Sequence, residues 1–186
     1  MAKSTEENPN VAKWVHGTDL LSPENSKYNE LNQAYYNLLV NSSFVINSVV
    51  SKARAISLIN FNLYEDFKRK FPFAISGGNL EQNVQKFRSI FKSANWEIYS
   101  KGSNGIENKS TMRIWNQTAW VVPRENKTNK LAKLQDYTVN PVYIDGKGMV
   151  NLIVYTEQND GTINSVLEVS KPSIVYTVTV PFAPIK

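Results

Sequence analysis

The chain has 186 residues, with 21 Lys and Arg against 16 Asp and Glu, one histidine and no cysteine. Disulfides, thiolate metal sites and cysteine nucleophiles are therefore excluded, and 41% hydrophobic with 20% charged residues suits a soluble globular domain with its own core. The net charge of +5 is spread along the chain and carried mainly by lysine, so it reads as a solvated surface and no nucleic-acid partner is expected.

The first 25 residues are polar and contain Glu6, Glu7, Asn8 and Pro9, which excludes a signal peptide there. No stretch has the roughly 18 apolar residues of a membrane span, so a membrane would be reached only through an anchor or partner outside this chain. Residues 1–21 read as a polar N-terminal arm, and 22–186 as a single domain. The arm ends in Trp14, Val15, Leu20 and Leu21, which either stay with a disordered arm or dock on the domain or on a partner, and Trp14, Leu20 and Leu21 are candidate partner-binding residues.

Ser22-Pro23-Glu24 has the pattern of a helix start, and Tyr28, Leu31, Tyr35 and Leu38 follow at helical spacing. Ala53, Ile56, Ile59, Leu63 and Phe67 resume that spacing up to Pro72, with Phe44 to Val50 ambiguous between helix and strand. Asn79 and Gln82 form a capping-box pattern, and Leu80, Val84, Phe87, Phe91, Ala94 and Ile98 place one apolar face along a helix that ends at Lys101-Gly102. The predicted helices are 22–40, 45–71 and 79–100.

From residue 111 the period becomes two. Strands are predicted over 111–122, 137–144, 149–156, 162–169 and 173–182, and Asp-Gly pairs between them suggest a meander of the last four. Helices first and strands second give an α+β class, with N-terminal helices packed on a bent, largely antiparallel C-terminal sheet.

No catalytic or metal-ligating constellation emerges, and no cofactor is expected. His16 stands alone, Glu65-Asp66 point about 100° apart on a helix, and Gly146-x-Gly148 lacks the rest of a phosphate loop. Asp136, Asp145 and Glu157 lie at predicted strand ends; one of them buried in a closed pocket with a raised pKa would favour a small-molecule isomerase or dehydratase. Trp115 and Trp120 have opposite parity in one predicted strand, so at least one should leave the core face, and both are candidate interface residues. Sequons occur at Asn41, Asn108, Asn116 and Asn126.

The run ARAISLINFNLYEDFKRKF (Ala53 to Phe71), the segment FRSIFKSANWEIYSK (Phe87 to Lys101) and VTVP (Val178 to Pro181) resemble DotI/IcmL-type proteins, inner-membrane core components of type IV secretion and conjugation machines. The resemblance implies a nuclear-transport-factor-like cone on the periplasmic face of a bacterial inner membrane. It also implies a non-enzymatic assembly role through contacts with other protein subunits and with copies of itself. A virion or phage-tail structural protein is the alternative.

Overall fold

The computed structural model describes residues 10–180. Two of the three predicted helical regions, 45–71 and 79–100, divide between strand and a shorter helix. Arg54–Asn62 is strand β4, in which Ala55 to Phe61 are all buried. A strand covered on both faces has no polar alternation, so its apolar run mimics helical spacing. Phe91–Ser103 is strand β5; Ala94, Trp96, Ile98 and Ser100 face inward, and the helical pattern through Ile98 is a coincidence of spacing.

True helices are short: α1 (Gln33–Asn41), α2 (Leu63–Lys70) and α3 (Leu80–Ile90). Asn32, Asn62 and Asn79 cap them, and at α3 the capping box read from the sequence forms, with Gln82 N–H donating to Asn79 Oδ1 at 3.0 Å and Asn79 N–H to Gln82 Oε1 at 3.1 Å. Ser22-Pro23-Glu24 starts no helix; it lies in a loop.

The remaining strands are β1 (Val11–Gly17), β2 (Asn29–Glu30), β3 (Phe44–Ser48), β6 (Ser110–Trp115), β7 (Trp120–Asn126), β8 (Ala132–Thr138), β9 (Met149–Tyr155) and β10 (Ser165–Val178). Every ladder is antiparallel. β3 pairs with β10, β4 with β9, β5 with β8, and β6 with β7, the pattern of one long hairpin rolled up on itself. Rolling sends successive pairs to opposite layers, giving sheets β2-β1-β4-β9-β6-β7 and β3-β10-β5-β8. This strand order defines a jelly roll, with β1 and β2 added at the β4 edge.

The α+β cone of helices on a bent sheet is thereby corrected to a two-sheet sandwich, and the secretion and conjugation link that came with the cone falls with it. The meander is corrected too, because β8, β9 and β10 alternate between layers. The predicted break at Lys171-Pro172 is instead a bulge inside β10, where Lys171 takes φ 50° and the register to β5 shifts. The end of the predicted strand, Pro181 and Phe182, lies outside the described residues, as do residues 1–9 of the expected arm.

The main core lies between the sheets. Trp96, Ile98, Leu167 and Val169 on one side meet Met112, Ile114, Leu152 and Val154 on the other, and Phe67 and Phe87 from the helices close one end. A second apolar layer covers the outer face of the larger sheet. There Ile56, Leu58, Ile153 and Tyr155 pack with Val15, Tyr28 and Trp120, flanked by Leu20 and Leu21. Residues 11–21, read from sequence as the end of an N-terminal arm, are thus a paired strand and part of a cover over the sheet, so the separate arm is corrected to a part of the domain.

Candidate interaction surface

The ladder between β3 and β10 stops at Val169, whereas the ladder with β5 runs to Val178. From Ser173 to Val178 one edge of β10 therefore carries no strand. This segment, Ser-Ile-Val-Tyr-Thr-Val, has no charge, no proline and three β-branched aliphatic residues. Natural edges are blunted by lysine, proline, bulges or a covering element. Here the unpaired edge begins at Ser170, so Lys171, Pro172 and the bulge lie within it and α1 packs against β10; the uncharged run Ser173–Val178 follows them.

A cleft of about 490 Å³ runs along this edge, lined by Ile174 to Val178 on one wall and by α2 on the other. The amphipathic sequence of α2 sets that wall: Leu63, Tyr64 and Phe67 turn into the core while Asp66 and Lys70 turn outward. Asp66 is held in place. Tyr176 Oη donates to its Oδ2 at 2.8 Å and Lys70 Nζ lies 2.7 Å from the same oxygen. Burial, with the Asp66 charge beside it, pushes the Tyr176 hydroxyl far above its ordinary pKa, so it stays a donor. Phe71 lines the cleft, and Phe73, two residues beyond it, is 92% exposed.

The tryptophans and leucines singled out in the sequence lie elsewhere. Trp14 points between the sheets from β1, edge-on to His16 at 4.9 Å, and lines a small apolar notch with Tyr35 and Phe44. His16 is itself partly buried there, which lowers its pKa. Trp115 and Trp120 face each other across the β6–β7 hairpin, 5.0 Å apart, because the predicted single strand is two. Both therefore sit on the outer face, away from the main core. Trp120 is only 8% exposed and donates from Nε1 to the Leu21 carbonyl at 2.9 Å, while Trp115 is half-buried. Tyr28 Oη donates to the same carbonyl at 3.0 Å, so Leu20 and Leu21 are tied down over the sheet. Of the five, the structure groups Leu20, Leu21, Trp115 and Trp120 in one layer and separates Trp14 from them.

The three carboxylates weighed for catalysis are all engaged. Asp136 pairs with Arg124 at 3.0 Å, and Asp145 Oδ1 accepts from the Lys147 and Met149 N–H groups. Burial pushes Glu157 up, but Arg54 and Lys109 together outweigh it and hold the carboxyl below the usual range. Among the described residues no group of three His, Asp or Glu side chains is placed to hold a metal ion. Among the described residues no helix is long and apolar enough to cross a membrane.

No family model matches the sequence, and no curated protein matches it. Among solved structures, one described as "CBM4 structure and function" superposes with a TM-score of 0.36 at 3% identity, over 72% of this chain and 94% of that one. TmCBM61 in complex with β-1,4-galactotriose gives 0.37 at 8% identity, over 95% and 97%. The Clostridium thermocellum endo-1,4-β-D-xylanase 10B CBM22-1–GH10 modules complexed with xylohexaose give 0.32 at 8% identity, over 79% of this chain and 27% of that one. Likenesses this weak carry no weight for fold or function, which rest on strand order and surface chemistry.

Proposed function

We propose that the chain is a non-enzymatic structural subunit that assembles with copies of itself by strand addition along Ser173–Val178. The observation that carries this reading is the uncharged run Ser173–Val178, which continues along β5 beyond the end of the β3 ladder and the Lys171-Pro172 bulge. Unpaired N–H and C=O groups in a row are a template for another strand. The occupant is a second copy because antiparallel pairing of this segment with itself brings together only uncharged side chains, and like charges opposed across strands would disfavour any charged equivalent. Two four-stranded sheets would then continue into one of eight. Jelly rolls serve in viral capsids among other roles, so by analogy of fold alone a virion shell suits such a subunit.

Analytical ultracentrifugation across a concentration series tests the reading. The wild-type chain is expected to self-associate, and Val175→Lys with Thr177→Lys, both at exposed side chains, is expected to leave a monomer with an unchanged circular dichroism spectrum. A wild-type chain that stays monomeric at its highest soluble concentration refutes it.

A further inference from the structure

Asn104-Gly105 is the one Asn-Gly pair among the 22 asparagines of the chain. In such a pair no side chain shields the glycine nitrogen, which can attack the asparagine amide carbon. The new N–C bond closes a succinimide ring as the bond to ammonia breaks, and water then opens the ring to aspartate or isoaspartate. Asparagine and one water thus become an acid and ammonia, with no oxidant or reductant.

The fold holds this pair in a closed clasp. Asn104 is 3% exposed. Its Nδ2, the nitrogen that would leave, donates to the Gln158 carbonyl at 2.9 Å. Its Oδ1 accepts from the Ile106 and Glu107 N–H groups at 3.0 and 2.8 Å. Gly105 takes φ 86° and lies against Ile163, where a Cβ would stand 2.6 Å from the Ile163 Cβ. The loop therefore needs glycine at this position, and that same glycine makes the pair reactive. The Asn104 side chain cannot swing onto the Gly105 nitrogen without giving up these hydrogen bonds, so reaction waits on local opening.

The clasp joins two crossings between the sheets. The loop after Ser103 leads from β5 in the smaller sheet to β6 in the larger, and the loop holding Gln158 leads from β9 in the larger sheet back to β10. After deamidation a carboxylate oxygen faces the Gln158 carbonyl, and neither of these two acceptors carries a proton to share. An isoaspartate also adds a methylene to the main chain and moves the Ile106 and Glu107 amides away from their acceptor. Water does not restore the amide, so the change runs one way.

We infer that Asn104 is a deamidation site that the closed clasp keeps silent, and that its modification unties the two crossings at this end of the sandwich. Water is the only reactant, so the site depends on no ligand and on no self-association.

The test follows the wild-type chain by peptide mass spectrometry in mild alkali, both folded and in guanidinium chloride. Trypsin releases residues 102–109 as one peptide, in which fragmentation separates Asn104 from Asn108. In guanidinium chloride Asn104 is expected to convert before any other asparagine. In the folded chain it is expected to convert at least about tenfold more slowly, the factor set by how seldom the clasp opens. Asn104→Asp installs one product directly and is expected to lower the urea midpoint. Asn108→Asp, at an exposed position of the same loop, is expected to leave it unchanged. Equal rates in the folded and unfolded chains overturn the inference, as does another asparagine converting first in guanidinium chloride. A folded Asn104→Asp chain as stable as the wild type overturns it too. The wild-type rates decide the matter alone if that variant does not fold.

Discussion

Deleting residues 1–21 separates a free arm from a structural one. In the fold, β1 contributes a ladder from Val11↔Asn60 to Gly17↔Arg54, and without it β4 becomes a bare edge. Ala12 and Val15 are 0% and 7% exposed, and Trp14 packs on the main core. Leu20 and Leu21 go too, and with them the cover over Ile56, Leu58 and Ile153, all fully buried at present. A fully buried aliphatic side chain contributes about 1.5–3 kcal/mol. The lost side chains and the newly wetted ones together come to on the order of 10 kcal/mol, comparable with the roughly 5–15 kcal/mol that holds a whole domain folded. The Leu21 carbonyl also leaves, stranding the Trp120 indole and the Tyr28 hydroxyl. The truncated chain is expected to lose its cooperative urea transition and its near-ultraviolet tryptophan signal, and to aggregate. A truncated chain that unfolds cooperatively at the wild-type midpoint would refute the account of these residues as part of the sandwich.

Two further outcomes follow from side chains that sit in closed networks. Asn126 is 5% exposed; its Nδ2 donates to the Ser100 and Lys130 carbonyls at 2.7 and 2.8 Å while its Oδ1 accepts from Thr128. Asn126→Ala should lower the unfolding free energy by about 1–3 kcal/mol with an unchanged m-value in urea, because the buried Ser100 carbonyl loses its donor; a loss under about 0.5 kcal/mol would refute the network's role. Glu157, held below the ordinary glutamate pKa by Arg54 and Lys109, contributes stability that is fully present above that ordinary value. This contribution is lost as pH falls through the lower folded value. The urea midpoint should therefore fall with acid over that window, and Glu157→Gln should flatten this part of the curve; an identical acid limb in the variant would contradict the assignment.

Several local features were legible in the sequence because their causes are local. The Asn79–Gln82 capping box needs only three residues of spacing, and β9 announces itself by a β-branched run between Gly148 and polar residues. The alternation in Ile174 to Val178 likewise gave a strand without knowledge of its neighbours. Burial was also legible: the apolar residues named along 53–67 and 80–98 are almost all inside. What failed there was the period. In Arg54–Asn62 both faces are covered, so apolar residues follow one another and any spacing can be drawn through them. In Phe91–Ser103 the ladders to β10 and β8 hold an extended chain that local spacing alone would have wound up.

Other features have no local signal at all. Trp14 and Leu21 belong to the sandwich only because β4 and Trp120, far along the chain, supply an edge and an indole donor. Whether Ser173–Val178 is an interior or an edge strand depends on where β3 stops, at Val169. Asn104 and Gln158 form a clasp only when two distant loops meet at one end of the sandwich. Sequence fixes which side chains leave water, because that is decided by their own chemistry. Which strand each backbone edge meets is a choice among distant partners, and only the closed sandwich makes it.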